Sequence, residues 1–236
     1  MNKKVLVAAL ALAITSANAF AGDTATLRVK ASLASTSCTP ELSNNGVIDF
    51  GNVQLGDLSQ SEASQLGEKG VTLTINCPTP TKVGWSIADN RADSNAATSS
   101  GSNLKVMNAT DNGASLRGTV STFGLGKTHD GKNIGAYSIY TSTGQVTANG
   151  TNVEPIRTAV TAGNGVSRWQ KATGGTIANK DLGLMSVSPN GKTEPMAVTS
   201  VSFPLNVSLA VESLKKLSLT EATDFNGQAT ISVVYL

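Results

Sequence analysis

This sequence predicts an all-β protein built as an antiparallel sandwich or barrel, and three observations carry the prediction. Short stretches of alternating apolar and polar residues recur along the chain. Clusters rich in Gly, Asn, Asp and Ser separate them, and no stretch carries a convincing amphipathic-helix pattern. Composition agrees: charged residues make up 14% of the chain and there are 23 glycines. A polar but uncharged chain suits the exposed faces and turns of sheets better than helices.

The elements follow in chain order. Leu27, Val29, Ala31 and Leu33 alternate with Arg28, Lys30, Ser32 and Ala34. VIDFGNVQL (47–55) and VTLTINC (71–77) read as the next strands, and in the latter Val71, Leu73, Ile75 and Cys77 share a face. KVGWSIAD (82–89) places Val83, Trp85 and Ile87 together. TVSTFGLG (119–126) and IGAYSIYTS (134–142) flank KTHDGKN and read as a hairpin. LGLMSVS (182–188) precedes FPLNVSLAV, where Leu205, Val207, Leu209 and Val211 are in register. Pro204 cannot donate to a ladder, so a strand start or a sheet edge is expected there. Residues 209–217 fit helical and strand periodicity equally. The last eleven residues, NGQATISVVYL, set a turn signal before a strand. In that strand Ala229, Ile231, Val233 and Tyr235 alternate with Gln228, Thr230, Ser232 and Val234. Residues 90–115 and 161–181 are polar, Gly-rich and weakly periodic, as long loops are. No linker composition and no internal repeat interrupts residues 22–236, which are expected to form one domain.

Residues 1–21 read as a secretory signal peptide. Lys3 and Lys4 precede an apolar run over residues 5–14, and Ala19, Phe20 and Ala21 form a small-residue cleavage site that leaves Gly22 at the new N-terminus. Ala17, Asn18 and Ala19 offer an earlier site. The apolar run, about ten residues, is too short to span a bilayer, and no later run is long enough. In an exported chain the two cysteines, Cys38 and Cys77, default to one structural disulfide, worth roughly 4 kcal/mol by loop-closure entropy. A redox pair would call for a C-x-x-C spacing that is absent. Net charge is +2 with both signs scattered, which gives no reason to expect nucleic acid or an anionic membrane as partner.

Motifs that could carry chemistry are sparse. Gly126, Lys127 and Thr128 match the tail of a phosphate-binding loop, but Ser121 stands where its first Gly belongs and a strand follows instead of a helix. The single histidine, His129, sits in a loop-like stretch with no G-x-S-x-G elbow to serve. Asp89, Arg91 and Asp93 in DNRAD could hold a cation or act as a carboxylate pair, though a solvated turn explains them better. Asn108, Asn149 and Asn206 head N-x-[ST] sequons, relevant only where the host glycosylates. Of the two tryptophans, Trp85 is expected in the core, and Trp169 in a polar loop is left as a candidate contact residue. No catalytic residue, cofactor or metal is expected.

Taken together, an alternating N-terminal segment, Cys38, GVIDFGNVQL, a second Cys closing VTLTINC and a penultimate Tyr235 resemble a chaperone–usher pilin, the subunit of bacterial fimbriae. A closer resemblance is to the enterobacterial fimbrial-like proteins of the YhcF and GltF type, on CTPELSNNGVIDFG, DNR, FGLGKTHDGKNIGAY and ISVVYL. The resemblance implies an immunoglobulin-like, pilin-like sandwich that lacks its last strand and keeps a groove for one supplied by another chain. The terminal strand with Ala229, Ile231, Val233 and Tyr235 would border that groove. Residues 22–34 would be the donor-type strand, presenting Leu27, Val29, Ala31 and Leu33 to a neighbour. Implied partners are a periplasmic chaperone, an usher and other fimbrial subunits, with the chain ending in the fimbrium, at the cell surface or secreted. A second class on the same fold is a soluble periplasmic or secreted accessory or ligand-binding protein, to which the GltF type adds a link with nitrogen and glutamate response. One departure stands out: pilins usually carry a Gly twelve residues before the penultimate Tyr, where this chain has Thr223, with Gly227 nearer the end. The segment before Cys38 could also fold back into its own domain, which would leave a self-complemented protein.

Overall fold

The computed structural model describes residues 28–31, 37–98, 102–108, 113–161, 165–166, 168–179, 182–219 and 223–236. The chain divides into two compact units, Met1–Ser35 and Thr36–Leu236. In the first, residues 28–31 take no regular secondary structure, and Val29 and Ala31 are exposed. Leu27 and Leu33 lie outside the described residues, as does the expected signal-peptide boundary.

The second unit is all-β. Its strands are β1 (Thr39–Leu42), β2 (Ser64–Asp89), β3 (Val106–Asn108), β4 (Ala114–Leu116), β5 (Phe123–Gly124), β6 (Gly135–Thr141) and β7 (Thr147–Ala148). They continue with β8 (Thr151–Asn152), β9 (Glu154–Thr161), β10 (Gly165–Val166), β11 (Gln170–Lys171), β12 (Gly183–Ser188), β13 (Ala197–Val211) and β14 (Ala229–Tyr235). A single helical turn, α1 (Leu214–Leu217), follows β13.

Two antiparallel sheets face each other, and β2 belongs to both. Its residues 64–76 pair with β13, and residues 73–76 also pair with β1. Its residues 83–89 pair with β14, and Trp85 stands opposite Met185 of β12. On the other side of β13 lie β6, which carries β5, and β7, which carries β8. In the second sheet β12 leads to β9, which carries β10 and β11. Alternation sorts the side chains: Leu73, Ile75, Phe203, Leu205, Trp85 and Ile87 are buried between the sheets. Trp85 and Phe203 join the layers edge to face, with ring centroids 5.4 Å apart.

Two expected strands thus form one. VTLTINC and KVGWSIAD are continuous in β2, which changes sheets at CPTPT. Between Asn76 and Thr81, β2 bulges out opposite the single residue Thr199, and Pro78 and Pro80, which have no N–H to offer, fall inside the bulge. Oδ1 of Asn149 accepts from the backbone N–H groups of Thr199 and Ser200 and from Oγ1 of Thr199, which steadies the partner strand there. Pro204 departs from the edge or start position expected of it: it lies within β13, a central strand. Its carbonyl accepts from the N–H of Ser142, so its missing N–H faces the gap where the neighbour changes from β7 to β6 and disrupts no rung of the ladder.

Three further expectations are corrected. Residues 47–54 of VIDFGNVQL form no strand, and a 3-10 turn, Leu55–Asp57, ends the segment; Gly51, at φ +74°, interrupts its extended run. Residues 90–115 are more than a loop. Within them β3 pairs with β4, and Ala96, Ala97, Leu104 and Val106 pack on Ala136 and Ala210, small residues on the outer face of the first sheet. Residues 161–181 hold β10 and β11 and send Ala172 and Ile177 into the main core. Where periodicity was ambiguous at 209–217, the strand runs to Val211 and the helical turn follows.

A candidate strand-binding groove

Gly227 sets the approach to β14. A Cβ there would stand 2.3 Å from Cε1 of Tyr137, so only glycine lets the backbone pass the ring, which itself stacks on Phe123 at 5.1 Å. From Ala229 to Tyr235 the strand pairs, among the described residues, with β2 alone, Ala229 opposite Asp89 and Tyr235 opposite Val83. Ala229, Ile231 and Val233 turn half-buried side chains toward the core, while Thr230 and Ser232 are exposed.

The hydrogen bonds at the two ends of this pair fix which edge each residue uses. Asn90 N–H donates to the Gln228 carbonyl, and Leu236 N–H donates to the Lys82 carbonyl, each at 3.0 Å. Antiparallel strands exchange bonds at every second pair, so Gln228, Thr230, Ser232, Val234 and Leu236 point their backbone groups at β2. The N–H and C=O groups of Ala229, Ile231, Val233 and Tyr235 therefore face the other way, toward an edge that no strand occupies among the described residues. Residues whose side chains face the core are the ones whose backbone groups are left open.

Beside that edge lies a cavity of about 910 Å³. Its floor is the interior of the sandwich itself: Val71, Leu205, Val207 and Leu209 from the first sheet and Ile87 from the second, with Tyr137 at hand. The mouth is bordered by Ala229 and Ile231 of β14 and by residues 47–55, whose Ile48, Phe50, Val53 and Leu55 are half-buried against the core. Only two charged side chains line it among the described residues, Asp49 and Asp224. Thr223 also lines it, at the position where the sequence comparison with pilins expected glycine. Burial, helped by the negative charge of Asp89, pushes the Tyr137 phenol above its ordinary range.

At its other end β14 is fastened to the disulfide. Cys38 and Cys77 are bonded, as expected of an exported chain, and the N–H of Cys38 donates to Oη of Tyr235 at 2.6 Å. Tyr235 thus reaches from the rim strand to Cys38, the residue just before β1, and its ring remains half exposed.

The other candidates take structural places. Asp89 accepts from the N–H groups of Arg91 and Gly124, both at 2.8 Å, and so ties β2 to β5. Asp93 pairs with Lys127 at 2.8 Å on the surface, and that ammonium holds its carboxyl below the usual carboxylate range. Thr128 closes the hairpin turn, and His129 is fully exposed. Trp85 is core; Trp169 is half-buried against Gly84. Asn206 donates to Ser142, and Asn149 has the structural part described above. Among the described residues no group of three His, Cys, Asp or Glu could hold a metal ion, and no helix is long and apolar enough to cross a membrane.

Sequence reasoning placed Ala229, Ile231, Val233 and Tyr235 together. It did not find the opposite wall at 47–55, which was expected as an ordinary strand and forms none. Residues 27–138 match the family described as "Protein of unknown function (DUF1120)". The chain is 33% identical over 240 residues to "Uncharacterized protein YhcF" of Escherichia coli K12, covering all of this chain and 99% of that one.

The chain belongs to the DUF1120 family.

A second relative, "Protein GltF" of the same organism, is 30% identical over 251 residues, covering all of this chain and 98% of its own length. The stretch matched to DUF1120 takes in both cysteines, the 47–55 wall, β2 and most of β6. The two full-length relatives extend the likeness through β13 and β14.

Proposed function

We propose that this chain is a non-enzymatic, fimbrial-like structural subunit, exported to the periplasm, whose sandwich is completed by a strand from another chain. One observation carries the reading: the backbone groups of Ala229 and Ile231, which line an apolar groove floored by core side chains, face an edge that no strand occupies among the described residues. An uncovered edge over exposed core is an aggregation hazard that proteins do not leave unmanaged. A strand with apolar side chains at every second residue satisfies both needs at once, by β-augmentation. In this reading a periplasmic chaperone supplies that strand first. At the usher it gives way to residues 22–34 of a neighbouring fimbrial subunit, with Leu27, Val29, Ala31 and Leu33 as the inserted side chains and Arg28 and Lys30 in water.

Oligomeric state tests it. The exported chain should form assemblies that depend on residues 22–34, and the deletion of 22–34 should leave single copies that still fold around the Cys38–Cys77 bond. A stable single-copy protein, indifferent to that deletion, would sink the subunit reading and leave an accessory or ligand-binding protein on the same fold. Loss of folding in the deletion variant would instead mean that the segment completes its own domain.

A further inference from the structure

The hairpin of β3 and β4 packs on the outer face of the first sheet, and alternation along β3 decides what it shows to water. Val106 and Asn108 are fully buried, so Met107 between them turns outward and is 43% exposed. On the edge away from β4 its backbone is held by Gln65 of β2. The Gln65 amide donates to the Lys105 carbonyl at 2.8 Å, and its Oε1 accepts from the Met107 N–H at 3.0 Å. Met107 stands opposite Ser115 of β4. Because its N–H is spent on Gln65, the two form a pair without backbone hydrogen bonds, the kind whose side chains lie closest. The Ser115 hydroxyl accordingly donates to Met107 Sδ at 3.0 Å. The other described methionines are placed differently: Met185 is 5% exposed in the core, and Met196 is half-buried against it.

We propose that Met107 is a reversible oxidation site for hydrogen peroxide, with Ser115 as the positioning residue that directs the oxygen to one side of the sulfur. A sulfur lone pair attacks one peroxide oxygen, and the S–O bond forms as the O–O bond breaks. Sulfur gives up two electrons and becomes a sulfoxide. The proton on the transferred oxygen moves to the departing hydroxide, which leaves as water. A thioether sulfur has two lone pairs, and the Ser115 hydroxyl engages one of them. Attack therefore proceeds through the other, and that choice gives one of the two sulfoxide epimers. Met107 lies outside both apolar clusters, so its polar product disturbs no core, whereas oxidation of Met185 would. Met107 does not line the groove either, so the site is independent of what fills it.

Peptide mapping by mass spectrometry, after treatment of the full chain with hydrogen peroxide, tests the proposal. Met107 should be oxidised about tenfold faster than Met185, with the fold retained. The digested peptides are then given, in separate samples, the two methionine sulfoxide reductases, each of which takes one epimer. One enzyme should clear nearly all of the Met107 sulfoxide. In the Ser115→Ala variant the two enzymes should share it evenly, and Ser115→Thr, which keeps a hydroxyl, should return it to one. A Met107 rate no higher than that of Met185 overturns the site. An even mixture of epimers in the unaltered chain, or a single epimer that survives Ser115→Ala, overturns the role of Ser115.

Discussion

Gly227 passes so near the Tyr137 ring that a single methyl group is enough to test the packing. Gly227→Ala should cost about 1–3 kcal/mol in urea unfolding, because the ring or the strand must move; a neutral result would show that β14 approaches the core by another route. Tyr137 also carries a pH signature. Its phenol is held neutral by burial, so its folded pKa lies above the unfolded one. The resulting stability is fully present below about pH 10 and is lost as pH rises through the folded value. Tyr137→Phe should therefore lessen the alkaline fall in the denaturation midpoint. Asp93 works in the opposite sense. Its carboxyl is depressed by Lys127, so the pair's contribution is present above the ordinary carboxylate range and fades as pH falls through the folded value. Lys127→Ala should raise the Asp93 midpoint in an NMR titration and leave thermal stability nearly unchanged, since the pair is solvent-screened.

Among elements, the Cys38–Cys77 bond and β14 form one mechanical unit through Tyr235. With a sequence separation of 39, replacing both cysteines by serine should cost roughly 4 kcal/mol in chemical denaturation. Tyr235→Phe should cost about 1 kcal/mol, with the effect concentrated in faster amide exchange at the end of β14. Elements whose periodicity is set by burial were legible in the sequence: Val71 to Cys77, Leu205 to Val211, and Ala229, Ile231 and Val233 face where alternation put them, while Tyr235 is half exposed. Elements decided by partners were not. Residues 47–53 have the composition of a strand and pair with no strand among the described residues; Pro204 sits in a central strand because two neighbours meet beside it. Ala96, Leu104 and Val106 pack on Ala136 and Ala210, a match between small residues distant in sequence that no local pattern announces. The groove was legible only in part, since one wall is the expected strand β14 and the other, residues 47–55, was expected as a strand and is not one.

For the molecule as a whole, core residues face a cavity of about 910 Å³, and in the proposed reading a bound strand fills it. Ligand-linked stabilisation gives the size of the effect: a strand present at a hundredfold excess over its Kd adds about 2.7 kcal/mol. The most direct test is the thermal midpoint of the exported chain titrated with the synthetic peptide LRVKASL, residues 27–33, and with the same peptide carrying Val29→Asp. A saturable rise in midpoint with the first peptide and none with the second is the predicted result. Equal responses to both, or none to either, would contradict the claim that this groove is built to receive a strand.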